Sequence, residues 1–360
     1  MTVYNFSAGP AVMPKPVIEQ IQRELPSLQG SGMSILEISH RSQRFQDIID
    51  TTKQDLKDLL NVPDNYEILF CQGGGTGQFA AVPLNLANHH RKIALLDSGH
   101  WASGAANEAT NLGYDVDIVG NTKADNYQSL PYPDHELSSS QYDYLYTTIN
   151  NTIEGTTYHN DILPDHKDIT LVGDMSSNFM AEHYNVSDFG LIFAGAQKNL
   201  APAGVTIVIV RKDLIDPAAH TPKILNYEPY VKKDSMFNTP PVFPIYAAGL
   251  VAKWLKGLGG IDAMEKINRQ KAAVLYDYLD ESKLFKNHVK PSERSLTNIT
   301  FTTGDADLDA QFVDFATQHD LISIKGHRSV GGLRASLYNA MPIDGAKALV
   351  DCLHQFEQTH

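Results

Sequence analysis

The sequence predicts an α/β fold, with a mostly parallel sheet between layers of helices, followed by a smaller α+β region. Between residues 66 and 210, short runs rich in Val, Ile and Leu alternate with turns and helix-like segments. Near-continuous apolar runs of this kind are typical of strands that are covered on both faces. The chain has 360 residues, of which 42% are hydrophobic, enough for one large domain or two modest ones.

The individual elements follow from these runs and from the breaks between them. We predict strands over 66–71, 92–97, 142–148, 168–174, 190–195 and 204–210. Helices are predicted over 77–87 and 103–113, the second ending at Gly113 as a C-cap. Pro83 lies near the second turn of the first helix, and because proline can kink or end a helix, the exact course of this helix is not predicted.

After about residue 255 the pattern changes to longer amphipathic segments, which indicate a smaller α+β domain. We predict helices over 259–282, 307–320 and 345–360, a strand over 296–303 and a strand pair over 323–339. The preceding segment 256–261, KGLGGI, carries three glycines and is predicted to be a hinge or linker.

Charge and cysteine content exclude several classes of function. The net charge of −13 argues against non-specific binding to nucleic acid or to an anionic membrane. The start of the chain has neither a basic segment nor an apolar signal core, and no long apolar run follows, so we expect a cytoplasmic protein without a membrane span. Cys71 and Cys352 are the two cysteines, which predicts no disulfide framework and no metal site.

The stretch CQGGGTGQFAA over 71–81 joins a predicted strand to a predicted helix through three glycines. Backbone N–H groups at a helix start bind phosphate well, so this turn is a candidate phosphate site. It is equally consistent with an ordinary tight turn. A nucleotide P-loop is disfavoured, because the GxxxxGK[ST] spacing is absent.

Two charged residues follow consecutive strands. Asp174 ends the apolar run DITLVGD, and Lys198 follows the run GLIFAG within FAGAQKNLAPAG. Alone, Asp174 would be a helix cap and Lys198 a solvated loop residue. Together with the glycine turn, they supply contacts for the ring nitrogen, aldehyde and phosphate of pyridoxal 5′-phosphate, with Lys198 as the covalent anchor.

Further candidates lie at strand ends or in basic clusters. Trp101 could stack on a cofactor ring or simply pack at the edge of the core, and Thr152 could bind the cofactor's phenolic oxygen. The basic residues are His40, Arg41, Lys325, His327, Arg328 and Arg334. Several arginines suggest a substrate with more than one anionic group, although surface ion pairs are an alternative explanation.

Six stretches together resemble the phosphoserine aminotransferases, a family of class-V, fold-type I enzymes that depend on pyridoxal phosphate. They are NFSAGPA, ISHRS, FCQGGGTGQFAAVPLN, AGAQKNLAPAGVTIVIVR, SMFNTPP and KGHRSVGGLRASLYNAMP. The resemblance implies a large domain over 16–256 and a small domain made of 257–360 with the segment 1–15. It also implies a homodimer with shared sites, and transfer of an amino group from L-glutamate to 3-phosphohydroxypyruvate, a step of serine biosynthesis.

The resemblance also implies a role for each site residue. Lys198 would form the Schiff base and transfer a proton, Asp174 would hold the ring nitrogen, and Thr152 would bind the phenolic oxygen. The cofactor set is completed by Trp101 on the ring and by the phosphate-binding residues Gly75, Thr76 and Gln197, with Asn238 and Thr239 from the partner subunit. The substrate set is Arg334 for the α-carboxylate and Arg41, His327 and Arg328 for the distal anion.

Two residues depart from the family pattern, and three other functions are alternatives. Thr76 and Ala8 stand where some relatives carry arginine and serine, which would alter affinity for the cofactor and for glutamate. The rival functions are another small-molecule aminotransferase, a cysteine desulfurase, and a cofactor-binding protein without turnover. A desulfurase needs a mobile nucleophilic cysteine, and neither Cys71 nor Cys352 is suitably placed in the sequence.

Overall fold

The computed structural model describes residues 2–216 and 221–360. The strands are β1 (Tyr4–Asn5), β2 (Tyr66–Cys71), β3 (Lys92–Asp97), β4 (Asp115–Asn121), β5 (Tyr144–Thr148), β6 (Leu171–Asp174), β7 (Leu191–Gly195), β8 (Thr206–Arg211), β9 (Asn298–Phe301), β10 (Leu321–Ile322) and β11 (Leu333–Ser336). The α-helices are α1 (Lys15–Glu24), α2 (Gln43–Leu60), α3 (Gly74–Leu86), α4 (His100–Asn111), α5 (Tyr227–Lys232), α6 (Val242–Gly257), α7 (Gly260–Glu281), α8 (Ala306–Gln318) and α9 (Ile343–Glu357).

A seven-stranded sheet in the order β2-β8-β7-β6-β5-β3-β4 forms the centre of the molecule. Strand β8 runs antiparallel to both of its neighbours, and every other pairing in this sheet is parallel. Successive residues of one strand belong to different apolar clusters: on β7, Ile192 packs in one cluster and Leu191 and Phe193 in another. Both faces of the sheet are therefore buried, and the predicted α/β class is confirmed.

Predicted and observed strands differ mainly at their ends. β2 and β3 have the predicted bounds, whereas β5, β6 and β7 begin one to three residues later than predicted. Strand β4, at one edge of the sheet, was not predicted, because only Val119 and Gly120 among its residues are buried, whereas β2 at the other edge has five buried residues of six. An edge strand needs no continuous apolar run, so its sequence carries a weaker signal.

The helices differ more from the predictions. α3 begins at Gly74, three residues before its predicted start, and continues past Pro83; α4 also starts three residues early. Helices α1, α2, α5 and α6 were not predicted, although the signal for α2 is present in the sequence. Ser42 Oγ accepts the N–H of Phe45 as an N-cap, and buried residues recur every three or four positions. Among the described residues, no helix is long and apolar enough to cross a membrane.

A separate apolar cluster lies towards the C-terminus. It contains Phe6 from the N-terminal segment and buried residues between Ala272 and Phe356. Two small sheets flank it: β1 pairs with β10 in parallel, and β9 pairs with β11 antiparallel. The rings of Phe285, Phe312 and Phe356 contact one another within it. The domain boundaries at residues 15/16 and 256/257 stay a prediction.

Two predictions for this region need correction. The expected hinge at 256–261 is a connection of only two residues between α6 and α7, and α7 packs with its first half in the sheet's cluster and with its second half in the C-terminal cluster. The expected strand pair over 323–339 is present only in part. β11 pairs mainly with β9, and the earlier arm contributes a single bridge from Lys325 to Leu333, since glycines and a turn interrupt the stretch.

Polar contacts join α7 to the loop that follows β11. Lys271 is fully buried, and its Nζ donates to the carbonyls of Leu337, Tyr338 and Met341 at 3.1, 2.8 and 3.1 Å. These carbonyls can accept all three N–H groups of the ammonium, while burial lowers the pKa of Lys271 to about 7. In the same loop, the N–H of Asn339 donates to Asn199 Oδ1 at 2.9 Å.

The Phe312→Ala variant is expected to lower the free energy of unfolding by about 3–5 kcal/mol, because it removes a fully buried ring from the C-terminal cluster. Urea denaturation followed by circular dichroism measures this change. Phe315→Ala on the same helix is the control, because Phe315 is only partly buried. Equal losses in the two variants would contradict the assignment of Phe312 to the centre of that cluster.

Candidate active site

A cavity of about 90 Å³ lies at the carboxyl edge of the parallel strands, where α/β proteins bind ligands. Strands β5 and β6 end at it, at Thr148 and Asp174, and the chain enters it again after β7. The lining residues are Gly75, Thr76, Phe79, Trp101, Thr148, Asn150, Thr152, Asp174, Ser176, Ser177, Gln197 and Lys198. The structure thus brings seven of the nine predicted cofactor residues to one place.

Lys198 is partly buried, and its Nζ donates a hydrogen bond to Thr152 Oγ1 at 2.8 Å. Burial lowers the pKa of Lys198 to about 8, with the charge of Asp174 opposing this shift and that of Arg334 reinforcing it. A lysine with this pKa has a much larger neutral fraction near pH 7 than a free lysine. The neutral amine is the form that attacks a carbonyl carbon.

Asp174 is 6% exposed, and its Oδ1 accepts the backbone N–H of Ser176 at 2.9 Å. Burial raises the pKa of Asp174, while the contact with Ser176 and the charge of Lys198 act in the opposite direction. A buried carboxylate stabilises a cationic partner placed against it. The ionised carboxylate of Asp174 can therefore bind a ring nitrogen and keep it protonated.

The glycine turn forms the start of α3. Gly73 is the N-cap, with φ of +93° in the left-handed region that favours glycine. The N–H groups of Gly74, Gly75 and Thr76 occupy the first helical turn, where no carbonyl of the helix can accept them. Because Gly75 and Thr76 also line the cavity, these N–H groups and the helix dipole form an anion site at its edge.

A second cavity of about 470 Å³ lies between the segment after β5 and the loop before β11, with Glu154, His327 and Arg334 in its lining. Arg334 Nη1 donates to the carbonyl oxygen of Thr152 at 3.2 Å. Desolvation lowers the pKa of His327, and the nearby charges of Arg334 and Arg328 act in the same direction. His327 and Arg334 therefore form a basic side of this cavity.

Several predicted residues lie outside both cavities. Arg328 is exposed on the turn beside His327, and Arg41 is exposed in the loop before α2. His40 and Lys325 also line neither cavity. Asn238 and Thr239 precede α6 and do not line the cavity of their own chain, although the carbonyl of Thr239 accepts a hydrogen bond from Gln72 Nε2 at 3.2 Å.

Other residues at the site were not predicted. Ser176 and Ser177 line the first cavity directly after Asp174 in the run DMSSN, and their hydroxyls at a strand end were an available signal. The N-terminal segment also reaches the site, since the N–H of Ala11 donates to the carbonyl of Gln197 at 2.9 Å. That contact joins residues far apart in the chain, so no local pattern predicts it.

The profile of the aminotransferase class-V family matches residues 3–349. The chain belongs to the class-V aminotransferases. It is 67% identical over 360 residues to a phosphoserine aminotransferase of Lactobacillus helveticus, covering 100% of this chain and 96% of that protein.

Solved structures agree with this membership. The phosphoserine aminotransferase from Bacillus circulans subsp. alkalophilus aligns with a TM-score of 0.95 and 40% identity over 99% of both chains. The PLP-bound phosphoserine aminotransferase from Trichomonas vaginalis aligns with a TM-score of 0.91 and 37% identity over 98% of this chain and 100% of that one.

The cofactor of this class-V aminotransferase is pyridoxal 5′-phosphate, and the cavity fits it. The buried Trp101 Nε1 and Thr148 Oγ1 have no hydrogen-bond partner within the described part of the chain, so both remain available to a ligand. A carboxyl, a lysine amine and an anion site lie around the same small cavity, as a pyridine ring with an aldehyde and a phosphate requires.

The two cysteines do not support a desulfurase. Cys71 and Cys352 are both buried, and neither lines the cavity of Lys198. Burial raises the pKa of the Cys71 thiol and raises that of Cys352 to about 11. Neither thiol is therefore an activated nucleophile.

In cofactor-free protein, acetylation of Lys198 should reach half its maximal rate near pH 8, because burial lowers its pKa to about 8. The Asp174→Asn variant removes the negative charge that favours the ammonium, so its midpoint should lie at lower pH. Timed labelling with acetic anhydride, followed by peptide mass spectrometry, measures both. Lys15, with an 88% exposed side chain, is the internal reference. An identical pH profile for Lys198 and Lys15 would contradict the assigned environment.

Proposed function

We propose that this enzyme transfers the amino group of L-glutamate to 3-phosphohydroxypyruvate, giving O-phospho-L-serine and 2-oxoglutarate. One observation carries the proposal: Lys198 and Arg334 meet at a single residue. The amine of Lys198 donates to the hydroxyl of Thr152, and the guanidinium of Arg334 donates to its carbonyl. A group that binds a carboxylate thus lies beside the group that reacts at the adjacent carbon, as an amino-acid substrate requires.

Each residue of the first cavity has a role in this proposal. Lys198 binds the cofactor covalently and afterwards moves a proton at the α-carbon of the substrate. Asp174 keeps the ring nitrogen protonated, Thr152 donates to the phenolic oxygen, and Trp101 packs on the ring face. The phosphate is held by Gly75, Thr76 and Gln197. When bound, pyridoxal phosphate withdraws electrons from the α-carbon and so makes its proton removable.

Substrate recognition depends on the basic side of the second cavity. The planar fork of Arg334 suits the α-carboxylate, and its partial burial strengthens that interaction. His327, which lines this cavity, and Arg328, which is exposed on the adjoining turn, would bind the distal anion. This anion is a phosphate in one substrate and a carboxylate in the other, and the role of Arg328 requires a movement of its turn. Arg41 lies outside both cavities of its own chain, so its role requires a second chain or a movement of its loop.

The proposed assembly is a homodimer in which each site takes residues from both chains. Asn238 Oδ1 is buried without a hydrogen-bond partner among the described residues, and the Thr239 side chain is exposed. Both residues are polar and follow SMF in a segment outside their own cavity. These features support a contact with the cofactor phosphate of a partner subunit.

Adding O-phosphoserine to the purified holoenzyme should abolish its visible absorbance, because the amino group passes to the cofactor, whereas plain serine should react far more slowly for lack of the distal phosphate. Stopped-flow absorbance measures both. The Lys198→Ala variant should lose at least about 10³-fold in amino transfer while keeping its circular dichroism spectrum. Undiminished turnover in that variant would refute the mechanism. Equal rates with serine and O-phosphoserine would refute the proposed substrate.

Co-expressing Lys198→Ala chains with Thr239→Asp chains should regain activity that neither variant has alone, because one site of each mixed dimer combines an intact lysine with an intact threonine. Mixed dimers isolated through two different tags should have about half of the wild-type activity, because one of their two sites is intact. Purification through two different tags, followed by the glutamate assay, measures the recovery. Activity no higher than the sum of the two separate variants would show that Thr239 acts in its own chain or not at all.

A further inference from the structure

We propose that Glu154 is a positioning residue for Trp101: its carboxyl group binds the first N–H of α4 and so fixes the start of the helix that carries the indole ring. The inference rests on the proposed contact between Trp101 and the cofactor ring. It concerns a residue that touches neither Lys198 nor Asp174 in the described contacts. Its action is on the geometry of the cavity rather than on the chemical step.

The start of α4 has no cap from its own sequence. Gly99 is the N-cap residue and supplies no side chain, so the first N–H groups of the helix lack a local acceptor. The N–H of His100 instead donates to Glu154 Oε1 at 2.8 Å. Trp101 is the next residue, so a displacement of this helix start would move the indole directly.

The fit between Glu154 and Gly99 requires glycine. A β-carbon on Gly99 would lie 2.6 Å from Glu154 Oε2 and closer still to the carboxyl carbon. Gly99 also has φ of +147°, in a region that residues with side chains rarely adopt. The carboxyl group of Glu154 therefore occupies the space that a side chain at position 99 would take.

The position of Glu154 is itself fixed. Thr300 Oγ1 donates to the carbonyl oxygen of Glu154 at 3.2 Å, and the N–H of Gly155 donates to the carbonyl of Asn151 at 2.8 Å. These contacts hold the segment 151–155 between β5 and the C-terminal cluster. The same segment contains Thr152, which binds Lys198 and Arg334, so the helix of Trp101 and the reactive lysine take their positions from one piece of backbone.

The electrostatic setting agrees with this role. Burial raises the pKa of Glu154, and the charge of Asp97 acts in the same direction, while the N–H of His100 and the charge of Arg334 favour the ionised form. The positive end of α4 stabilises negative charge at its start. Glu154 Oε2 has no hydrogen-bond partner within the described residues, so the contact with His100 is the polar link that a substitution would break.

Trp101 fluorescence tests the proposal directly. The chain has two tryptophans, and a Trp254→Phe background leaves Trp101 as the sole emitter, with the Trp101→Phe/Trp254→Phe double variant as the blank. Bound pyridoxal phosphate quenches an indole in contact with its ring, and the quenching falls as the contact is lost. The measurements are the quenching of the holoenzyme against cofactor-free protein and the cofactor dissociation constant.

In this background, Glu154→Ala should lose much of the quenching and bind the cofactor about fivefold more weakly, which corresponds to the loss of one helix-capping hydrogen bond. Glu154→Gln keeps an oxygen acceptor for His100 and should retain the quenching and bind the cofactor within about twofold of the parent. Glu108→Ala is the matched control, because Glu108 is a partly exposed acid near the other end of the same helix, and it should behave as the parent does.

Parental quenching in Glu154→Ala would overturn the proposal, and so would equal losses in Glu154→Ala and Glu154→Gln. Thermal unfolding of each variant shows whether it folds. If Glu154→Ala does not fold, Glu154→Asp replaces it, because this change withdraws the carboxylate by one methylene and should give a partial loss of quenching. Parental quenching in Glu154→Asp would then overturn the proposal. Lys198→Ala in the same background separates this proposal from the proposed function. A retained visible band in that variant would refute the role of Lys198 without changing the Glu154 result.

Discussion

Everything at this site depends on keeping two opposite charges, on Lys198 and Asp174, at the edge of a sheet that is apolar on both faces. Desolvation disfavours the charged form of each group, and each charge partly offsets that cost for the other. The arrangement works because β6 and β7 are parallel neighbours, so Asp174 at the end of β6 and Lys198 shortly after β7 emerge at one edge. Ser176 and Thr152 then supply the hydrogen bonds that the buried groups need.

The central fold was predictable because its physical cause is local in sequence. Four consecutive buried residues run through each of β2 and β3, at 68–71 and 93–96, and the bounds of both strands were predicted without error. Strand β4 has no such run, because only Val119 and Gly120 among its residues are buried. The prediction of a strand pair within 323–339 was wrong in part. A composition rich in β-forming residues does not show that β11 pairs with β9, a strand more than thirty residues earlier.

The candidate site was predictable where function requires a particular residue type at a strand end, as for Asp174 and Lys198. It was not predictable where contacts join distant segments. Glu154 lies 54 residues after His100, and neither its residue type nor its spacing indicates a helix cap. Asn238 and Thr239 lie outside the cavity of their own chain, so the role proposed for them requires a second chain.

The continuity of α7 limits how this chain can change during evolution. The helix contributes Ile261 and Met264 to the cluster beside the sheet, and Leu275 and Leu279 to the C-terminal cluster. Inserting one residue between these pairs would rotate the second pair by about 100° around the helix axis. It would also move Lys271 away from its carbonyl acceptors. Insertions and deletions among relatives should therefore fall in surface loops, while the length of α7 between its two clusters remains constant.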